Sequence, residues 1–293
     1  MSTPLEPLHG TPDAAPAQAV FTPPTVDPDN PPWSILGAIA IWLFSVVLIV
    51  IIPLVFLLPY IWQQHVRLET LGEFAMTDKT AIFLQIVSII PAHLLTLGAA
   101  WALVTRFGKY PFFATLGWQW DRGFTFWRCV VLAVGLLVLG SVIIYFFGGA
   151  ETQLDKIINS SRLTAFTTAL LATATAPLVE EIVYRGVLYS ALRRLIGATG
   201  AVAIVLSLFA LIHVPQYWPN FGVIVTIGIL SLVLTTVRAY TGRLLPCFII
   251  HLVFNGIQSS YIVLEPFFKR DAPAEAPGAW LVWTFAHFFQ VTF

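Results

Sequence analysis

Runs of roughly 20 apolar residues, each long enough for a helix to cross a hydrocarbon layer about 30 Å thick, succeed one another along most of this chain. They leave few alternatives for its fold. Ile35 to Leu58, Ala81 to Val104, Cys129 to Phe147 and a stretch from Leu163 to Leu192 come first; Ala201 to Val214, Val223 to Val237 and Leu244 to Leu264 follow. A last apolar piece, Trp280 to Phe293, reads as an eighth span or as an interfacial helix. The runs do not alternate apolar and polar residues as barrel strands do, so helices must satisfy the backbone polar groups. The fold expected is all-α, a polytopic transmembrane bundle of about eight helices, or seven if the last segment is interfacial.

Composition narrows the partners. The 293 residues are 58% hydrophobic and 10% charged, against about 25% charged in soluble domains, and mean hydropathy is +0.83. A lipid bilayer is the implied surrounding. Lys+Arg and Asp+Glu balance at 15 each, and no basic run marks nucleic acid as a partner. Cys129 and Cys247 both fall within apolar spans, which points to small packed hydrophobes and away from disulfides or a thiolate metal site. Residues 1–32 are rich in Pro and Ala and hold no Lys or Arg, so they are expected to form a disordered tail. The basic start and immediate apolar core of a cleavable signal are missing, and the first span is expected to be retained. Eight cations fall on the N-terminal side of the spans and six on the other, which favours a cytoplasmic N-terminus.

The fourth span carries the chemistry. It runs through Ala- and Thr-rich sequence to Pro177, then meets Glu180, Glu181 and Arg185. Small residues let helices approach closely, so this span is expected at the centre of the bundle. Pro177 frees the carbonyl of Thr173 just before the glutamates. A charge at bilayer depth costs about 3 kcal/mol or more and marks a protein interior or a water cavity. Glu181 and Arg185 are four apart and can pair, while Glu180 points about 100° away and stays free to act as a base. The competing reading ends the span before Glu180 and puts the charges at the interface. Against it, Ile182, Val183, Val187, Leu188 and Leu192 continue the apolar pattern up to Arg193 and Arg194.

Three further polar residues lie at compatible depths. His213 follows Phe209 by one turn, and His251 and Asn255 are four apart on one helix face. At 1.5 Å per residue, Glu180 and His213 each lie roughly 22 Å from the turns near Gly197, and His251 and Asn255 roughly 12 and 18 Å from Arg243. A carboxylate and a histidine converging on water make a general base, and a second histidine with an amide can donate to an oxyanion. Glu180, His213 and His251 could instead hold zinc or another divalent metal, although no His-Glu-x-x-His sequence is present to favour zinc. On the residues alone both routes stay open. His93, beside Pro91, is expected to bond a nearby backbone group, and His287 to be interfacial; neither is assigned to the site.

The ordered set Glu180-Glu181-x-x-x-Arg185, Phe209-x-x-x-His213 and His251-x-x-x-Asn255, with Tyr184-Arg185-Gly186 after the carboxylates, resembles the CPBP family. These are membrane proteases related to the type II CAAX prenyl endopeptidases and to bacteriocin-processing or immunity proteins. The resemblance covers about Leu163 to Leu264. It implies an intramembrane endopeptidase in which Glu180 and His213 activate water, His251 and Asn255 stabilise the oxyanion, and Glu181, Arg185 and Phe209 support them. It also implies a peptide or membrane-protein substrate, with prenylated peptides among those it allows, and a multi-pass position in a bacterial inner membrane; of the two routes it favours the metal-free one, in which Asn255 has the clearer role as a neutral donor. The expected organisation is a tail at 1–32, three helices with loops at 33–162, a catalytic core at 163–265, and a C-terminal loop and apolar helix at 266–293. Two other functions remain open: a non-proteolytic membrane factor of the immunity or chaperone-like kind, and a proton-coupled transporter, which also uses buried Glu and His.

Overall fold

The structure is a computed structural model that describes residues 26–271. Helix α1, Ile35–Gln63, is started by Ser34, whose hydroxyl accepts from the Gly37 amide at 3.1 Å, satisfying one of the free N–H groups of a helix N-terminus. A short α2, Leu71–Thr77, leads into α3, Lys79–Val87, and α4, Ile89–Thr105. The sequence reads these last two as one span; Ser88 joins them, three residues before Pro91. After α5, Phe112–Thr115, and α6, Phe126–Phe147, comes α7, Gln153–Ser160. Thr152 and Asp155 start α7 as a reciprocal capping box, in a stretch the apolar runs did not mark as helical. Then follow α8, Arg162–Ala174, α9, Ala176–Glu180, a π-helix at Glu181–Leu188, α10, Tyr189–Tyr217, α11, Phe221–Thr241, and α12, Leu245–Asp271.

Among the described residues, six helical stretches are long and apolar enough to cross a membrane. One of them, Arg162–Tyr217, has 56 residues and would measure about 84 Å if straight. Gly197 breaks it, with φ 77° and ψ 173°, a conformation open essentially to glycine alone. The chain doubles back there. Tyr184 and Phe209 would be about 37 Å apart along one helix, yet their rings meet edge to face at 5.1 Å. This stretch therefore supplies two crossings, and the bundle is the all-α polytopic one the apolar runs imply. The segment from Trp280 to Phe293 lies outside the described residues, as does His287.

Two apolar clusters build the interior. One joins α1, α4, the π-helix and α10 through residues such as Trp33, Ala38, Ala100, Val187, Tyr189 and Phe209. The other joins α6, α11 and α12 through Cys129, Leu136, Leu234, Cys247, Ile250 and Phe254. Close approach is set by small residues: a Cβ on Gly222 would come within 2.8 Å of Ile144 Cα, so α6 and α11 touch nearly backbone to backbone. The Ala/Thr-rich α8 is not at the centre. It packs on α12, but Leu163, Phe166 and Leu170 of its other face are exposed. α7 and α3 also lie against it. The central element is the π-helix, all eight of whose residues are buried.

Residues 1–25 lie outside the described part, and the chain from Pro28 to Trp33 is strapped across one end of the bundle. Arg194 donates to the carbonyls of Pro31 and Trp33, each at 2.9 Å, and Arg106 to that of Pro32. Asp29 bridges Arg193 and the fully buried Arg238 at 2.7 and 2.8 Å. Four cations placed on one side by the order of spans thus meet at one end.

Candidate active site

Glu180 and Glu181 stand where α9 passes into the π-helix. Upstream, the helical ladder is interrupted at Thr175, two residues before Pro177, which has no amide hydrogen to give. A π-helix widens each turn and often marks a functional position. Here it belongs to the first apolar cluster and reaches α11 of the second through Arg185, and Trp33 Nε1 donates to the carbonyl of Val187 within it at 3.1 Å. Gly186 lets it pack closely, since a Cβ there would come within 2.9 Å of Leu116 Cδ2.

Glu181 and Arg185 are both fully buried and bond at 3.0 Å. Other guanidinium hydrogens are used as well: Nε donates to Thr235 Oγ1 at 3.1 Å and Nη2 to Ser231 Oγ at 2.8 Å, both on α11. The plane of charge lies over the Phe209 ring at 4.5 Å, a favourable cation–π contact. A buried guanidinium needs this density of partners. The same Glu181 Oε1 accepts from His251 Nδ1 on α12 at 2.8 Å. Glu181 Oε2 is buried and has no hydrogen-bond partner among the described residues.

Glu180 differs from its neighbour. Its side chain keeps 23% of its exposure and its Oε2 stands 3.7 Å from His251 Nε2, near but outside hydrogen-bond range. His251 therefore sits between the two carboxylates, with Nδ1 tied to Glu181. His213 Nδ1 lies 2.7 Å from the carbonyl of Phe209. A carbonyl only accepts, so Nδ1 carries the hydrogen and Nε2 of a neutral ring has a free lone pair. The Phe209 ring is 4.6 Å from His213 and 6.1 Å from His251, and so stands between the two imidazoles. Asn255 Nδ2 donates one hydrogen to the carbonyl of Ala172 at 2.9 Å, next to the interruption before Pro177.

The structure thus joins Glu181, Arg185 and His251 into one bonded group, with the Glu180 carboxylate 3.7 Å from His251 Nε2 and Phe209 against it. His213 is held beside that group through Phe209, without an ion pair to a carboxylate among the described residues. Asn255 is one turn from His251 and bonded to α8. Among the described residues no three His, Cys, Asp or Glu side chains converge closely enough to hold a metal ion. Glu180, His213 and His251 therefore do not close on a common point.

Sequence reading overlooked Ser231 and Thr235, which hold Arg185; two hydroxyls four apart in an apolar span were the available signal. His93, expected to bond a nearby backbone group, instead bonds the hydroxyl of Thr175 at 2.9 Å. Residues 162–257 match the family model described as type II CAAX prenyl endopeptidase Rce1-like. This segment is Rce1-like. It contains all three motifs and spans α8 to the first half of α12, so the bonded group and His213 lie wholly within it. No curated protein and no solved structure matches the chain. With its apolar helices, the chain carrying this Rce1-like segment is an integral membrane protein.

Proposed function

We propose that the chain is an intramembrane endopeptidase, CAAX-protease-like in general character, that hydrolyses a peptide bond with water activated by Glu180 and His213. The observation that carries the reading is the unequal environment of two adjacent glutamates. Glu181 is buried and committed to Arg185 and His251, whereas Glu180 is part-exposed and, among the described residues, has no hydrogen bond of its own. One carboxylate is structural and the next is available.

In this reading a water lies between Glu180 and the free Nε2 of His213. Glu180 removes a proton as the water oxygen attacks the carbonyl carbon, and the carbonyl π electrons move onto oxygen. Asn255 Nδ2 has a second hydrogen, beyond the one given to Ala172, for that oxyanion. His251 contributes as well when both its nitrogens are protonated: Nδ1–H stays on Glu181 and Nε2–H turns toward the oxyanion. A ring in that state balances the two carboxylates against Arg185. Collapse of the tetrahedral intermediate expels the amine, which takes the proton back from Glu180. In this reading side chains and one water supply every step.

The substrate class is a peptide or membrane protein, with prenylation left to experiment, and the location is a bacterial inner membrane with the N-terminus on the cytoplasmic side. Comparing masses of membrane proteins in cells carrying the wild-type chain or Glu180→Ala tests the activity. The expected result is a precursor that accumulates only with the variant. Identical mass profiles, with both proteins inserted at equal level, contradict it.

A further inference from the structure

His93 is buried on α4, with 5% of its surface exposed, and the three motifs give it no task. Its Nδ1 lies 2.9 Å from Thr175 Oγ1. Thr175 is the residue at which α8 stops and α9 begins, so the bond falls on the joint that sets the direction of α9. Its hydroxyl is also 3.3 Å from the carbonyl of Leu171. A hydroxyl has one hydrogen; given to Leu171, it leaves Oγ1 to accept from His93 Nδ1–H. Five residues further, α9 ends on Glu180, and the Glu180 carboxylate lies within electrostatic reach of the His93 ring. α4 packs directly against α9 and the π-helix. The same joint is held from the other side by Asn255, on the Ala172 carbonyl.

We propose that His93 is a positioning residue for Glu180: through its Nδ1 bond to Thr175 it fixes the angle between α8 and α9, and with it where the Glu180 carboxylate stands. The inference rests on Glu180 being the base, and its consequence is separable from that reading. A joint that loosens moves Glu180 without altering the bonds of Glu181, Arg185 and His251, which are anchored on α11 and α12. Misplacement of a reacting group by about 1 Å is enough to lower a rate on the order of 100-fold.

The test reads position and rate separately. Glu180→Cys places a thiol at the end of α9, while Cys129 and Cys247 are buried and give a low background. Its maleimide labelling rate is measured with His93 intact, with His93→Leu and with His93→Asn, in detergent at a temperature where circular dichroism reports all three folded. An Asn amide nitrogen stands close to where Nδ1 stood and can donate to Thr175. A labelling rate altered several-fold by His93→Leu and restored by His93→Asn is expected; unchanged labelling overturns the proposal. Thr175→Val removes the same bond from the other side and decides the matter if His93→Leu does not fold. In the cleavage assay, with Glu180 restored, His93→Leu is expected to lower kcat roughly 10- to 100-fold with KM unchanged and with rescue by His93→Asn. Wild-type kcat in folded His93→Leu also overturns it. If the wild-type chain cleaves nothing, the endopeptidase reading fails while the labelling still decides the role of His93.

Discussion

Glu181 and His251, 70 residues apart, share a hydrogen bond of 2.8 Å that joins the π-helix to α12. With Arg185 on Ser231 and Thr235, it ties together the two apolar clusters of the bundle. The polar group is thus a structural seam as well as the setting of Glu180.

That seam makes a stability prediction. Arg185→Met leaves the Glu181 charge buried beside one histidine, and loss of one partner from a buried pair costs about 3–5 kcal/mol. Adding Glu181→Gln is expected to recover much of the loss. Unfolding in detergent checks both; a cost for the single substitution below about 1 kcal/mol, as for an exposed pair, contradicts the burial argument.

Gly197 separates two crossings by a backbone conformation that other residues adopt only under strain. Gly197→Ala is expected to destabilise the chain by about 1–3 kcal/mol. An unchanged melting temperature shows that the turn does not depend on this φ.

The N-terminal strap is expected to stabilise the bundle unequally through its two ion pairs. Asp29→Ala leaves the fully buried Arg238 without its carboxylate, whereas Arg193→Ala removes a part-exposed pair worth under about 1 kcal/mol. The first variant should melt well below the second. Equal melting points contradict a structural role for the Asp29–Arg238 contact.

Removal of divalent metal is expected to leave cleavage unchanged, since the proposed steps use only side chains and water. Exhaustive chelation followed by metal analysis of the purified protein checks this. Activity that disappears and returns with zinc contradicts the metal-free route.

Much of the bundle was legible because apolar length is a direct consequence of bilayer thickness. The motif residues stood out because buried charge is costly, and the i,i+4 spacing of Glu181 and Arg185 already allowed the pair that the structure contains. Tertiary partners were not legible. Nothing local says that Arg185 will find Ser231 and Thr235, or that His93 will meet Thr175, because these bonds depend on which helices become neighbours. The π-helix was hidden for another reason. Its residues, Glu181 to Leu188, fit an α-helical pattern equally well, and the groups that touch it, Trp33, Leu116 and Leu244, come from distant parts of the chain. The Ala/Thr-rich α8 misled in the opposite direction, since small residues report a close contact without saying that every face is covered.

The central claim is that Glu180, alone of the two glutamates, is the base. Glu180→Gln keeps size and hydrogen-bonding capacity but removes the proton acceptor, and loss of a general base lowers rates roughly 100- to 10,000-fold. The most direct measurement is the rate of peptide-product formation, followed by mass, for purified wild-type protein and Glu180→Gln in matched bilayers. The account predicts product from the wild type and a drop of at least about 100-fold in the folded variant. Cleavage by Glu180→Gln at the wild-type rate would contradict it.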